Sequence, residues 1–264
     1  MTETFDLSLE QAHAYEDLFV PALFAQWVPT LLRHAGVGPG LRVVDVACGT
    51  GVVARAASEV VGPGGQVSGV DLNPAMVQVA RECVPGLDWR VGDAGDLPYG
   101  DASFDASLCQ SALFFFPDPA AACREMVRVV RPGGTVALQT YAELADQPGY
   151  GPFVDAVVRH AGDGARRLLG TYWSRGDVAQ FRALLDEAGA EPTSSESVLG
   201  EVSFPSVEAL VQTEVGATPL ADRIDPAAYV ALARDVRDVL ADFVDEQGAV
   251  TMPVRAVFVA GRKR

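Results

Sequence analysis

The stretch VVDVACGTG, Val43 to Gly51, constrains the fold more than any other part of the chain. Its β-branched run, Val43, Val44 and Val46, suits a strand buried on both faces. The run ends abruptly in Ala47, Cys48, Gly49, Thr50 and Gly51, which offer little beyond bare backbone. A buried strand that enters such a turn and continues into the helical pattern GVVARAASEVV opens a βα unit of a parallel sheet. In an open α/β sheet that turn lies at the crevice where ligands bind, and glycines there let backbone N–H groups reach a polar or anionic ligand group. The side chains are then small because a ligand takes their space.

The alternation continues along the chain. Strands are expected at Arg42 to Ala47, Gln66 to Asp71, Leu87 to Val91, Phe104 to Gln110, Thr135 to Tyr141 and Val254 to Ala260. Asn73-Pro74 and Asp118-Pro119 each place a capping side chain before an N1 proline, ahead of the helices AMVQVAREC and AAACREMVRVV. Pro132-Gly133-Gly134 then stops the second of these and turns the chain into a strand. Two regions depart from this pattern. Residues 8 to 35 read as two helices broken at Pro21. Residues 142 to 249 hold further helical patterns, among them RGDVAQFRALLDEAG and PAAYVALARDVRDVLADFV, around a strand candidate at Val198 to Phe204.

Acids stand at successive strand ends. Asp71 in GVDLNP is placed to accept hydrogen bonds from the two hydroxyls of a ribose. Asp93 and Ala94 in GDAGDLP are placed against a base edge. Taken singly, each acid reads as a helix cap or a solvated loop residue; together they mark a nucleoside site.

On these stretches the chain resembles the class I S-adenosylmethionine-dependent methyltransferases, in the branch similar to ubiquinone/menaquinone C-methyltransferases. VVDVACGTG looks like the first motif of that family, GVDLNPAMV its second, GDAGDLPYGDASFDASLCQSALFFFPD its third and fourth, and EMVRVVRPGGTVAL its following turn. The resemblance spans residues 42 to 141. It implies a doubly wound, Rossmann-like α/β fold with a seven-stranded, mostly parallel sheet and helices on both faces. VRAVFVAGR would be the antiparallel seventh strand and Val198 to Phe204 strand six. It implies S-adenosyl-L-methionine as cofactor and S-adenosyl-L-homocysteine as product. The methionine end would lie on Asp45, Ala47, Gly49, Thr50 and Gly51, the ribose on Asp71, and the adenine against Leu72, Asp93 and Ala94. Gln110 and Ser111 would face the sulfonium, and Tyr15 resembles a tyrosine that closes over the cofactor. Ala47 stands where many members have glycine, and Phe114 where relatives often have a polar residue.

With 264 residues, 49% of them hydrophobic, the chain can bury one large core. The expected organisation is one methyltransferase domain: a helical lid at 1 to 35, a cofactor-binding core at 36 to 141, a substrate-covering helical elaboration with strand six at 142 to 249, and the last strand and tail at 250 to 264. Phe19, Phe24, Trp27, Phe114, Tyr172 and Trp173 are the candidates for an apolar substrate lining. Of Phe114, Phe115 and Phe116, two are expected to pack in the core and one to face the pocket. His13, His34 and His160 read first as surface or satisfied core residues. If transfer needs a base, His13, Tyr15 and His160 are the candidates. Cys48 and Cys109 read as small fillers, and no Cys or His spacing suggests a metal site.

The expected function is methyl transfer to a small, largely apolar molecule, such as a secondary metabolite or quinone-like compound. The competing reading is a non-methylating cyclase or isomerase, or a regulatory binding module, because the motifs report cofactor binding and not transfer. A nicotinamide dehydrogenase is disfavoured because ACGTG lacks GxGxxG. The formal charge of −15 disfavours a nucleic-acid partner, and GRKR at 261 to 264 reads as a solvated tail. Unpaired cysteines, the lack of a signal-like N-terminus and the lack of a run of about 18 apolar residues point to a cytoplasmic protein without membrane insertion. A monomer and a homodimer are equally compatible with the sequence.

Overall fold

In this computed structural model, residues 7–216, 218, 220 and 224–264 are described. Among them, seven strands pair into one sheet. They are β1 (Arg42–Val46), β2 (Gln66–Asp71), β3 (Asp88–Val91), β4 (Phe104–Gln110), β5 (Val130–Tyr141), β6 (Ala190–Phe204) and β7 (Val250–Lys263). Their order is β3-β2-β1-β4-β5-β7-β6. Neighbouring strands from β3 through β5 run parallel, and β7 lies antiparallel between β5 and β6. The strand order reverses at β1/β4, which opens the crevice beyond their carboxyl ends.

Successive residues of β1 feed opposite faces, as the period of a strand requires. Val43 joins the core packed by Leu31 of α2 (Val28–Ala35) and Ala54 and Ala57 of α3 (Val52–Val61). Val44 and Val46 join the other core, with Met126 of α5 (Pro119–Val129) and with Phe181 and Leu185 of α8 (Val178–Glu187). The expected caps are present: Asn73 accepts from Ala75 N at the start of α4 (Pro74–Cys83), and Asp118 accepts from Ala121 N at the start of α5. Helices α6 (Tyr150–Ala161) and α7 (Asp163–Gly170) follow β5, and α9 (Val207–Val211) and α10 (Pro226–Val239) lie between β6 and β7.

Several boundaries differ from the sequence reading. The N-terminal segment does not break at Pro21. Helix α1 (Leu9–Ala14) runs into a π-helical stretch, Tyr15–Phe24, that contains Pro21, and a short 3₁₀ turn at Ala25–Trp27 then leads into α2. Proline has no N–H to place in a ladder, and here the irregular helix absorbs it. Strand β6 runs from Ala190, well before Val198, because its polar residues face solvent on alternate positions while it pairs with β7 along its whole length. Glu191, Glu196 and Glu201 keep this sheet edge charged. Strand β5 begins at Val130, and the Pro-Gly-Gly lies within it at a register shift against β4. Residues 1 to 6 of the expected lid, and residues 217, 219 and 221 to 223 of the expected elaboration, lie outside the described residues.

The glycines of the first two strand ends serve two different neighbours. A Cβ on Gly51 or Gly69 would collide with the indole of Trp89, whose Nε1 donates to Val84 O at 2.9 Å. Gly51 is thus small to admit a core tryptophan, whereas the space over Gly49 belongs to Tyr15. Gly69 has an ordinary backbone conformation, so Gly69→Ala tests crowding alone; we expect it to lower the free energy of unfolding in urea by about 1–3 kcal/mol.

Candidate active site

The loop after β1 folds so that Ala47, Gly49 and Gly51 all take left-handed backbone angles, with φ of 56°, 53° and 88°. Ser111, just past β4, does the same at 52°. Non-glycine residues rarely hold this conformation, and those that do concentrate at functional sites. Between these two strand ends lies a cavity lined by Tyr15, Phe24, Asp45, Ala47, Cys48, Gly49, Val52, Val53 and Gln110. Asp71 is bonded to Gly49 of this lining. The Asp71 carboxylate accepts from Gly49 N at 2.8 Å and from Asn73 N at 2.9 Å. Burial raises its pKa, and these N–H donors act in the opposite direction. Each carboxylate oxygen has a second lone pair for a ligand hydroxyl.

Asp45 is fully buried and accepts from Ala54 N at 3.0 Å. Burial, reinforced by the charge of Asp71, pushes its pKa up to about 8, against the Ala54 bond and Arg55. Gln110 donates through Nε2 to Phe24 O at 3.0 Å, and its Oε1 is buried without a hydrogen-bond partner among the described residues. Thr50 Oγ1 is likewise buried and unpartnered among them. Ser111 donates through Oγ to Gln139 Oε1 at 2.7 Å. Leu72 is 59% exposed, an open apolar face at the end of β2, and Asp93 caps its own turn by accepting from Gly95 N. Ala94 beside it packs partly against the core. Cys48 and Cys109 are buried with their thiols pushed up by desolvation, as suits fillers.

The N-terminal segment spans this crevice from edge to edge. Leu7 O accepts from Asn73 Nδ2, Glu16 pairs with Arg55 at 2.7 Å, and the Tyr15 ring lies over Gly49. Phe24 O meets Gln110, and Leu23 O accepts from Tyr141 Oη at 3.3 Å. Tyr15 stacks on Phe19 and Phe24, with ring centroids 5.6 Å and 5.3 Å apart. Burial holds its phenol well above the usual range.

Leu23, next to Phe24 in sequence, lines a second cavity. Its walls are Leu23, Tyr150, Phe153, Val154, Leu169, Tyr172 and Trp173, with one acid, Glu214. Tyr172 and Trp173 are thus both in its wall. The other apolar candidates do not line either cavity, apart from Phe24 in the first. Phe19 is buried against Tyr15. Trp27 is wedged over Gly200 beside Tyr141 and Phe258, and Phe114 is a buried packing partner of Phe115 and Tyr172. His13 and His160 line neither cavity. His13 sits on the exposed side of α1 against Glu82 at 3.2 Å, and His160 pairs with Asp235 at 3.2 Å where α6 meets α10. His34, stacked on Phe258, pairs with Glu196.

Glu214 is absent from the sequence reading, although a signal for it exists. Val207, Leu210, Val211 and Glu214 follow the spacing of one helical stripe, and all four are buried. An acid on such a stripe requires a polar partner or a ligand. Here Tyr150 Oη donates to Glu214 Oε1 at 2.9 Å, and burial pushes the carboxyl pKa up to about 7.

Residues 44–138 match the protein family described as a methyltransferase domain. Those residues hold the β1 loop, Asp71, Asp93 and Ser111, and they supply the lining of the first cavity apart from Tyr15 and Phe24. They form a class I S-adenosylmethionine-dependent methyltransferase domain. A demethylmenaquinone methyltransferase of Desulfitobacterium hafniense is 28% identical over 203 residues, 74% of this chain and 77% of that protein. Two solved structures share the fold at lower identity. A phosphoethanolamine N-methyltransferase of Haemonchus contortus, in complex with phosphomonomethylethanolamine and S-adenosylhomocysteine, has a TM-score of 0.60 at 21% identity, over 98% of this chain and 58% of that one. The [4+2]-cyclase SpnF has a TM-score of 0.59 at 22% identity, over 91% of this chain and 81% of that one. S-adenosylmethionine is the cofactor of this methyltransferase, and the unpartnered Gln110 Oε1 beside a bare glycine loop fits such a polar ligand. Among the described residues no group of His, Cys, Asp or Glu is arranged to hold a metal, and no helix is long and apolar enough to cross a membrane.

The two buried acids have a common consequence for stability. Each carboxyl has a folded pKa raised above its unfolded value, so the folded methyltransferase binds more protons between the two values, and each unit is worth about 1.4 kcal/mol. Their contribution to the stability of the cofactor-free protein should therefore fall as pH rises from about 4 to about 8. In thermal unfolding at several pH values, Asp45→Asn and Glu214→Gln should each remove its own part of this slope, leaving the part owed to Asp71, which burial also raises.

Proposed function

We propose that this methyltransferase moves the methyl group of S-adenosylmethionine to a small, largely apolar organic acceptor held in the aromatic cavity. The observation that carries this reading is the division of one helical segment between two cavities. Leu23 faces the aromatic one, and Tyr15 and Phe24 face the one at the glycine loop. The bound cofactor supplies an activated methyl on a sulfonium. The chain's own residues then have to align the acceptor with it and keep water out. Apolar walls and a buried phenol at Tyr15 serve the exclusion, while Asp45, Asp71 and Gln110 would hold the polar parts of the cofactor. Leu72 would cover one adenine face, with Asp93 and Ala94 at the base edge. The demethylmenaquinone methyltransferase relative supports an acceptor with a substantial apolar part.

The N-terminal segment is, in this reading, a lid. It seals the crevice through Glu16–Arg55, Asn73–Leu7 and Gln110–Phe24, and all three must part for the cofactor to enter.

Three measurements test this. Incubation with methyl-labelled cofactor and small-molecule extracts should yield S-adenosylhomocysteine together with a labelled product; a product formed without S-adenosylhomocysteine would favour a cyclase or isomerase. By calorimetry the protein should bind S-adenosylhomocysteine and not NAD, and Asp71→Ala should weaken that binding by about 1.5–3 kcal/mol, since it removes a charge-assisted acceptor. Hydrogen exchange across residues 9–35 should slow when S-adenosylhomocysteine is added, and an unchanged rate would remove the lid from the account.

A further inference from the structure

The second cavity carries a chemical preference of its own. Glu214 is 4% exposed and lies on a short π-helical stretch, Gln212–Gly216, that follows α9. Such irregular turns recur at functional sites. Its one side-chain hydrogen bond among the described residues comes from Tyr150, and no basic side chain among them pairs with it. The ionisable neighbours that feel its charge are the phenols of Tyr150, Tyr172 and Tyr141. Aromatic rings form much of the rest of the wall. Tyr150 and Trp173 lie 4.6 Å apart, Phe153 is edge-on to Tyr150, and Tyr172 packs on Phe114 and Phe115.

A carboxylate enclosed by apolar and aromatic groups is costly unless a positive charge joins it. Ring faces attract that same charge. An anionic ligand would meet repulsion here, and a ligand bearing only acceptors would leave the carboxylate without compensation. A protonated amine satisfies both the acid and the rings.

We propose that Glu214, braced by the Tyr150 hydroxyl in an aromatic-walled cavity, is the anchor for a basic nitrogen of the acceptor and takes the proton that this nitrogen must lose before methylation. This rests on the methyl-transfer reading for the step itself, but not for the binding preference. The ammonium gives a proton to the carboxylate and becomes a neutral amine. Its lone pair then forms the N–C bond as the S–C bond breaks, and that electron pair stays on sulfur. The products are a methylated ammonium and S-adenosylhomocysteine, and the proton held on Glu214 leaves to solvent. The cavity is narrow, and Leu23 in its wall belongs to the same segment as Tyr15 and Phe24, which line the glycine-loop cavity.

The test uses the full chain with saturating S-adenosylhomocysteine and measures binding of primary amines from ethylamine to 4-phenylbutylamine against the matched alcohols and carboxylates. We expect the arylalkyl amines to bind at least tenfold more tightly than their alcohols and carboxylates. Glu214→Gln, nearly isosteric, should abolish that preference without changing S-adenosylhomocysteine affinity, and Tyr150→Phe should weaken amine binding while keeping the preference. Absence of any amine preference in the unmodified protein, or its persistence in Glu214→Gln, would overturn the assignment. With labelled S-adenosylmethionine, the label should appear on the nitrogen of a bound amine. Amine preference without label transfer would leave the anchor standing and reject the proton-acceptor role, whereas label transfer to other acceptors with no amine preference would reject the anchor and keep the methyl-transfer reading.

Discussion

The Asp71 carboxylate is the constraint on which the cofactor crevice depends. It accepts from Gly49 N on one loop and from Asn73 N on the next, so the turns after β1 and β2 are held in one frame. The left-handed angles of Ala47, Gly49 and Gly51 are sustained within that frame, and strained backbone persists only where its surroundings over-determine it. The Asn73 amide carries the constraint outward to Leu7, and Arg55 carries it to Glu16. The N-terminal segment is thereby positioned by the same loops that it covers.

Electrostatically, the two cavities are built alike. Each has one acid in its lining, Asp45 or Glu214, and for both burial is the largest cause of the raised pKa. Their polar partners differ. Asp45 is bonded to a backbone N–H at the first turn of α3, a rigid donor that fixes the helix to the strand. Glu214 is bonded to a phenol on another helix, a donor that rotates and yields. The first arrangement suits an unvarying part of the fold, and the second suits a site that has to exchange one partner for another.

The sheet was readable wherever burial acts on both faces, because there hydrophobicity alone marks the strand. β1, β2 and β4 are such cases. β6 shows the opposite: with Glu191, Ser195 and Glu201 along a solvent-facing edge, most of it carries no apolar signal, and only its pairing with β7 makes it a strand. In the site, Asp71 follows from a strand end, and Asp45 and Gln110 from the family resemblance of the motifs around them, since topology brings those strand ends together. Glu214 and Tyr150 lie 64 positions apart, and no local pattern announces their bond. The pairings of His13 and His160 were hidden for the same reason, as each histidine has a carboxylate partner from a distant helix, Glu82 or Asp235. Gly51 was legible as a residue that must be small, but the object that needs the space, Trp89, comes from another strand.

The position of β7 affects how the molecule can assemble during synthesis. This strand, formed by residues 250–263, lies between β5 and β6 and not at the sheet's edge. Until it emerges, β5 has an open flank, β6 has no partner, and Trp27 lacks the Phe258 ring it packs against. The glycine-loop half of the sheet, β1 to β5, has every one of its own pairings available by residue 141. A nascent chain can therefore order the nucleoside side first, while β6 stays exposed to wrong pairing over the interval between its synthesis and that of β7. The acidic side chains along β6 would hold off other strands during that interval.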